Sequence, residues 1–134
     1  MSAFTSQLRP YLPPVDTFNS VVSLENGATG SFNLSFGSNA SKLELQVACE
    51  NGSLTFAGMC HLVVKDATGK ILRDQKFDTT SQEAVQAELE AFADGIEAGK
   101  LLKPSTAEEA LQDLVFIESI LESGKANGAP VSLL

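Results

Sequence analysis

The chain has 134 residues, 43% hydrophobic and 19% charged, the make-up of one ordinary globular domain with enough length to bury a core. Seventeen acidic side chains against nine basic ones leave a net charge of −8, which repels phosphate and argues against nucleic acid and anionic membranes as partners. Cys49 and Cys60 form no CxxC pair, and the single histidine, His61, completes no zinc set, so no metal is expected.

Residues 1–15 read as a proline-rich lead-in arm. Pro10, Pro13 and Pro14 disfavour helix there, so the chain enters the sheet extended, with room for a short helical turn at 4–9. The stretch holds no apolar segment of signal-peptide length, and no run in the chain approaches the ~18 apolar residues of a membrane span. With two free thiols, this points to an intracellular, cytoplasmic protein.

Residues 16–24 form the first expected strand, ending at Glu25-Asn26-Gly27. Asn-Gly accepts positive φ, so a hairpin into residues 28–36 follows. There Phe32, Leu34 and Phe36 alternate with Ser31, Asn33 and Ser35, a period of two with one buried face. Phe18, Val22 and Leu24 continue that face. Residues 42–50 alternate again, with Leu43, Leu45, Val47 and Cys49 on one side. Asn51-Gly52 turns the chain into residues 53–56. Residues 61–65 and 70–77 make a last hairpin about Asp66-Ala67-Thr68-Gly69. Short strands joined by tight turns pair antiparallel.

The period then lengthens. Val85, Leu89, Phe92 and Ile96 fall at helical spacing, as do Leu111, Leu114, Ile117 and Leu121. Thr80-x-x-Glu83 and Ser105-x-x-Glu108 read as capping boxes. Gly99 and Gly124 sit where left-handed C′ residues belong, and Lys103-Pro104 separates the helices. Residues 128–133 look like a return to the sheet edge. Strands first and helices afterwards give an α+β fold: a predominantly antiparallel sheet of six to seven strands with two C-terminal helices on one face, forming a single domain over residues 16–134. The helices are expected to cover Phe18, Val22, Phe32, Leu34, Leu43, Leu45 and Val47.

Three segments carry a resemblance. "ELEAFADGIEAGKLLKPSTAEEAL" fits E-x-x-x-F-x-x-x-I-x-x-G, a proline-containing turn and E-x-A-L, and the tail fits G-x-P-V-x-L. "PPVDTFNSVVSLENGATGSFNLSFG" and "ACENGSLTF" fit a strand pair and a hairpin. This ordered set resembles the C-terminal domain of the glucose–fructose oxidoreductase/inositol dehydrogenase (Gfo/Idh/MocA) family over residues 13–133. The resemblance implies the substrate-binding and oligomerisation fold. The family's dinucleotide-binding half carries a Gly-rich turn, and this chain has no G-x-G-x-x-G and no room for a βαβ unit before residue 16. The family's Glu-Lys-Pro segment with its catalytic lysine and its D-x-x-x-H segment are absent too. No cofactor is therefore expected, and NAD(P)-dependent hydride transfer by these residues alone is not.

The opposite sheet face carries Asn19, Val21, Ser23, Thr29, Ser31, Asn33, Ser35, Glu44, Gln46, Ala48 and Glu50. It reads as a solvated face, as a homodimer interface of the kind related oxidoreductases use, or as a ligand pocket. In a pocket, Glu44 and Glu50 are the acid/base candidates, because partial burial raises a carboxyl towards neutrality. Asn19, Asn33 and Gln46 are the candidates for orienting a carbonyl. His61 titrates near pH 7 unperturbed and joins the catalytic candidates; a surface role is its alternative. Tyr11, in the arm, is a lid or a packing residue. Two functional readings follow. One is a repurposed domain that binds an organic small molecule and carries out cofactor-free cyclisation, isomerisation or dehydration in a biosynthetic pathway. The other is a non-catalytic dimerisation or binding module, with the excised substrate domain of an oxidoreductase as a further variant.

Overall fold

The computed structural model describes residues 1–40, 42–58, 60–78, 80–102 and 105–133. Seven strands precede two helices: β1 Ser2–Ser6, β2 Thr17–Ser23, β3 Thr29–Ser35, β4 Glu44–Cys49, β5 Gly52–Ala57, β6 His61–Asp66, β7 Ile71–Lys76, α1 Ser81–Glu97 and α2 Ala107–Lys125. The α+β class, the seven antiparallel strands and the two C-terminal helices agree with the sequence reading. The strands divide between two ladders, β1-β2-β3 and β4-β5-β6-β7. The chain divides likewise into two compact units, Met1–Asn39 with Lys100–Leu134, and Ala40–Gly99.

In the first unit the expected hairpin forms where Asn26-Gly27 allows it. Gly27 takes φ +84°, and the Leu24 and Ala28 ends close with an N–H···O bond of 2.8 Å. The segment read as a possible helical turn is instead strand: β1 pairs with β2 from Ser2↔Val21 to Ser6↔Thr17. Its outer edge is held by the C-terminal tail, where Val131 donates to Met1 O at 2.8 Å and accepts from Met1 N at 2.6 Å. The tail thus returns to the sheet edge. α2 lies along β1 and touches β2.

The core of this unit is small. Ala3, Phe18 and Ile120 are buried, with Met1, Leu34 and Phe116 packed against them. Phe18 and Phe32 meet edge-on at 5.2 Å, and Phe32 lies 5.7 Å from Phe116. Polar groups inside are matched. Ser123 accepts from the Ala3 amide at 2.8 Å and donates to Ala129 O at 2.7 Å, and Ser20 donates to Phe32 O. Asp16 is buried as well, and its carboxylate accepts the amides of Leu8 and Arg9. Arg9 in turn binds Gly37 O and Asn39. This knot ties down the chain after β1.

The helix ends correct two expectations. Thr80 and Glu83 form the predicted capping box of α1, and Gly99 takes φ +65° beyond its C-cap. α2 begins one residue later than expected: Thr106, not Ser105, is extended and caps Glu109 N, because the run STAEE holds two overlapping cap patterns. α2 also runs through Gly124, and Asn127 and Gly128 take the positive φ. Gly124 serves close approach instead, since a Cβ there would strike the Thr5 side chain of β1. The Lys103-Pro104 break lies outside the described residues.

In the second unit the turns follow the sequence closely. Asp66 Oδ1 accepts the Thr68 and Lys70 amides, and Gly69 takes φ +84°. The expected cover does not follow. Leu43, Leu45 and Val47 are 58%, 59% and 44% exposed, because α2 packs on β1 and β2. Val85, Leu89, Phe92 and Ile96 of α1 are exposed too.

Candidate functional site

The register of the four-stranded ladder decides which side chains meet. Glu44 pairs with Ala57, Ala57 with His61, and His61 with Lys76. These four therefore form one row across the sheet, and directly opposed residues share a face. The neighbouring row runs Gln46, Thr55, Val63, Asp74. Strands lie about 4.8 Å apart, so Glu44 and His61 stand about 10 Å from each other over the small Ala57. His61 Nε2 bonds Asp74 Oδ1 at 2.7 Å across the two rows. This face is polar, while Leu45, Val47, Leu54, Phe56, Leu62 and Val64 occupy the other by alternation.

An open recess lies at one end of these rows, lined by Ala57, Gly58, Cys60, His61, Lys76, Phe77 and Asp78. The 57–60 turn shapes it. Gly58 takes φ +60° and Cys60 N donates back to Ala57 O, while Phe77 N closes on Cys60 O at 2.7 Å. The recess thus presents an imidazole oriented by a carboxylate, one ammonium group and an aromatic wall. Such a set can bind a polar organic molecule and move a proton. Lys42 Nζ bonds Glu44 Oε1 at 3.0 Å at the far end of the row.

The sequence-predicted residues divide accordingly. Glu44, Gln46 and His61 come together on this face. Asn19 and Asn33 are direct cross-strand partners, but on the β1-β2-β3 sheet. There they stand beside the Thr17–Ser35 hydroxyl pair at 2.8 Å. Glu50 lies past the end of β4, in the turn to β5, and Tyr11 is 74% exposed in the proline-rich segment. Sequence reading missed Asp74 and Lys76. Their strand was recognised, but only the register, with its irregularity between Val64 and Lys65, brings them to His61. Among the described residues no group of three or more His, Cys, Asp or Glu side chains could hold a metal ion, and no helix is long and apolar enough to cross a membrane.

A nicotinamide dinucleotide does not fit these residues. Its pyrophosphate needs a Gly-rich turn and free amides at a helix N-terminus. The sequence contains no G-x-G-x-x-G. The first turn of α1 carries Glu83, bonded back to Thr80, and that of α2 carries Glu108 and Glu109.

Comparison with known proteins identifies the fold. Residues 1–133 match the model of the oxidoreductase family's C-terminal alpha/beta domain. Dehydrogenase FPY6 of Fusarium mangiferae is 30% identical over 129 residues, which is 95% of this chain and 37% of that protein. An oxidoreductase from Thermotoga maritima superposes with a TM-score of 0.73 at 24% identity, over 92% of this chain and 35% of that one. An oxidoreductase from Agrobacterium radiobacter, solved with NAD+, L-tartaric acid and magnesium, gives 0.73 at 19% identity over 92% of this chain and 40% of its own. The chain spans between a third and two fifths of the length of these relatives.

Proposed function

The chain belongs to the oxidoreductase family as its C-terminal alpha/beta domain, and from that premise we propose that it acts as the substrate-side part of a dehydrogenase. It binds a polar organic substrate on the polar face of β4–β7. Nicotinamide chemistry belongs to a dinucleotide-binding fold that these 134 residues do not form. The observation that carries this reading is the Glu44–Ala57–His61–Lys76 row with its Asp74 bond, facing an open recess. The small Ala57 leaves room over the sheet, Lys76 and His61 supply donors, and Glu44 supplies an acceptor.

A second reading rests on the His61–Asp74 pair alone. An imidazole held by a carboxylate at 2.7 Å is a general acid/base in its own right, so the domain would catalyse cofactor-free isomerisation or dehydration.

Amide-shift titration of the labelled chain with hydroxy acids and sugars tests the first reading. Expected are shifts centred on Glu44, Thr55, His61 and Lys76, and no calorimetric binding of NAD+ or NADH. Tight binding of either dinucleotide, or shifts confined to β1–β3, would contradict it. Turnover of a ligand without any nicotinamide, lost in His61→Ala, would favour the second.

A further inference from the structure

We propose that residues 129–133 are a detachable strap, and that the edge of β1 beneath them is a strand-acceptor site for an extended peptide of small–proline–apolar pattern, filled in cis by this tail. Every residue involved belongs to the first unit, and the inference stands independently of the substrate reading.

The backbone of β1 sets which groups the edge offers. Asp16 N donates to Ser6 O at 3.1 Å, so the even-numbered residues of β1 turn their backbone groups towards β2. Met1, Ala3 and Thr5 turn theirs the other way. Met1 and Val131 exchange both bonds, at 2.6 and 2.8 Å, which is the hydrogen-bonded pair of an antiparallel ladder. A regular ladder repeats that exchange two residues on, between Ala3 and Ala129. Here it does not. Ala129 N turns back to Ala126 O at 3.3 Å, and the Ser123 hydroxyl stands between the two strands. It accepts the Ala3 amide at 2.8 Å and donates to Ala129 O at 2.7 Å. A wholly buried hydroxyl thus relays one rung of the ladder, using one donor and one acceptor.

Ser123 also holds the start of the strap, because Gly128 N donates to Ser123 O at 2.8 Å. The chain reverses at this point through Asn127 and Gly128, with φ of +53° and +85°. A Cβ on Gly128 would strike the Phe4 ring, so the reversal lies directly against β1. Pro130 falls where the strap turns its backbone away from β1, and its missing N–H removes no rung. Pro130 also forms one side of a recess with Met1, Val21 and Val22, which makes a proline at that position part of the fit.

The strap is lightly held. Ala129, Pro130 and Ser132 are exposed, and Val131 and Leu133 are half-buried. The core residues Ala3, Phe18 and Ile120 come from β1, β2 and α2, so lifting the strap does not remove a core side chain. Segments with few buried apolar contacts open at the low end of local stability. What lifting exposes is the Met1 backbone, the Ala3 amide and the Ser123 hydroxyl. An extended peptide meets all three with main-chain groups alone, and its proline and apolar side chains supply the selectivity.

A locked strap tests the inference in the full chain. With Met1 opposite Val131, Ser2 stands opposite Pro130 in a non-hydrogen-bonded pair, whose close approach suits a disulfide. In a Cys49→Ser/Cys60→Ser background, Ser2→Cys with Pro130→Cys should form an intrachain disulfide. The probe is the blocked peptide acetyl-Gly-Ala-Pro-Val-Ser-Leu-amide, followed by amide shifts. The oxidised chain should not bind it, and reduction should open the site, with shifts centred on Ser2, Ala3 and Ser123. Val131→Pro removes the donor to Met1 O and should bind the peptide about tenfold more tightly than wild type, where the tail competes in cis. Adding Ser123→Ala should weaken that binding about tenfold by removing the relay. If Val131→Pro fails to fold, the disulfide pair decides. Failure of the intrachain disulfide to form overturns the inference, as does equal affinity of the oxidised and reduced chains for the peptide, or no binding by the reduced chain.

Discussion

The two units of this molecule are stabilised by different means. The first, β1–β3 with α2, closes around Ala3, Phe18 and Ile120 and satisfies its buried hydroxyls internally. The second, β4–β7 with α1, buries no side chain among its described residues. It relies on ladders and turns, and it leaves apolar positions of β4 and α1 exposed. Hydrophobic burial is the dominant favourable contribution to folding, and the second unit achieves it only in part, with β5 and most of β6 half-buried, Phe56 against Phe77, and β4 exposed. The contrast is between one half with its own core and one half without a fully buried side chain among its described residues.

The largest expected effect falls on the first unit. Ile120 is wholly buried, and Ile120→Ala should cost about 2–5 kcal/mol in denaturant unfolding. Leu45→Ala in the second unit, at 59% exposure, should change the monomer by less than about 1 kcal/mol. Equal losses at the two positions would remove the contrast.

Gly52→Ala should be the most damaging change in the second unit. Gly52 takes φ +146°, and a Cβ would collide with the Lys65 carbonyl on β6. The backbone conformation alone costs about 1–3 kcal/mol, and the β5–β6 ladder must open to admit the methyl group. Loss of strand signal confined to β4–β7 is the expected readout.

Ser123→Ala sharpens the comparison from the other side. It strands the buried Ala3 amide and the Ala129 carbonyl, at about 1–3 kcal/mol. Hydrogen exchange should show β1 and the tail loosening while β4–β7 are unaffected.

A pH effect separates the units as well. Burial pushes the Asp16 carboxyl up, but the Leu8 and Arg9 amides, the Thr17 hydroxyl and the Arg9 charge together hold it below its ordinary 3.8. A depressed folded pKa contributes stability above the unfolded value and loses it as pH falls through the folded one. The first unit should therefore lose stability progressively below about pH 4. Asp16→Asn should be less stable than wild type at neutral pH, with the difference shrinking in acid. A difference that grew in acid would contradict the assignment. The smallest effect is expected from Leu89→Ser on α1, within about 0.5 kcal/mol for the monomer.

The local signals were legible in the sequence. Asn26-Gly27, Asn51-Gly52 and Asp66-Ala67-Thr68-Gly69 turn the chain where their chemistry requires, and the Thr80/Glu83 box starts α1. What was not legible depends on distant pairing. Period-two alternation says that Leu43 and Phe32 each have one apolar side, but not that their strands join separate ladders. Asp74 and Lys76 read as ordinary charges until the β6–β7 register set them beside His61. Gly124 read as a helix stop because sequence cannot show that Thr5 approaches it. Asn19 and Asn33 oppose each other on β2 and β3, whereas Gln46 belongs to the other ladder.

The most direct test is amide exchange followed residue by residue. The account predicts that β1, β2 and α2 exchange slowly, whereas the β4 amides of Glu44, Gln46 and Ala48 exchange fast. Exchange as fast in β1–β2 as in β4–β7 would contradict it.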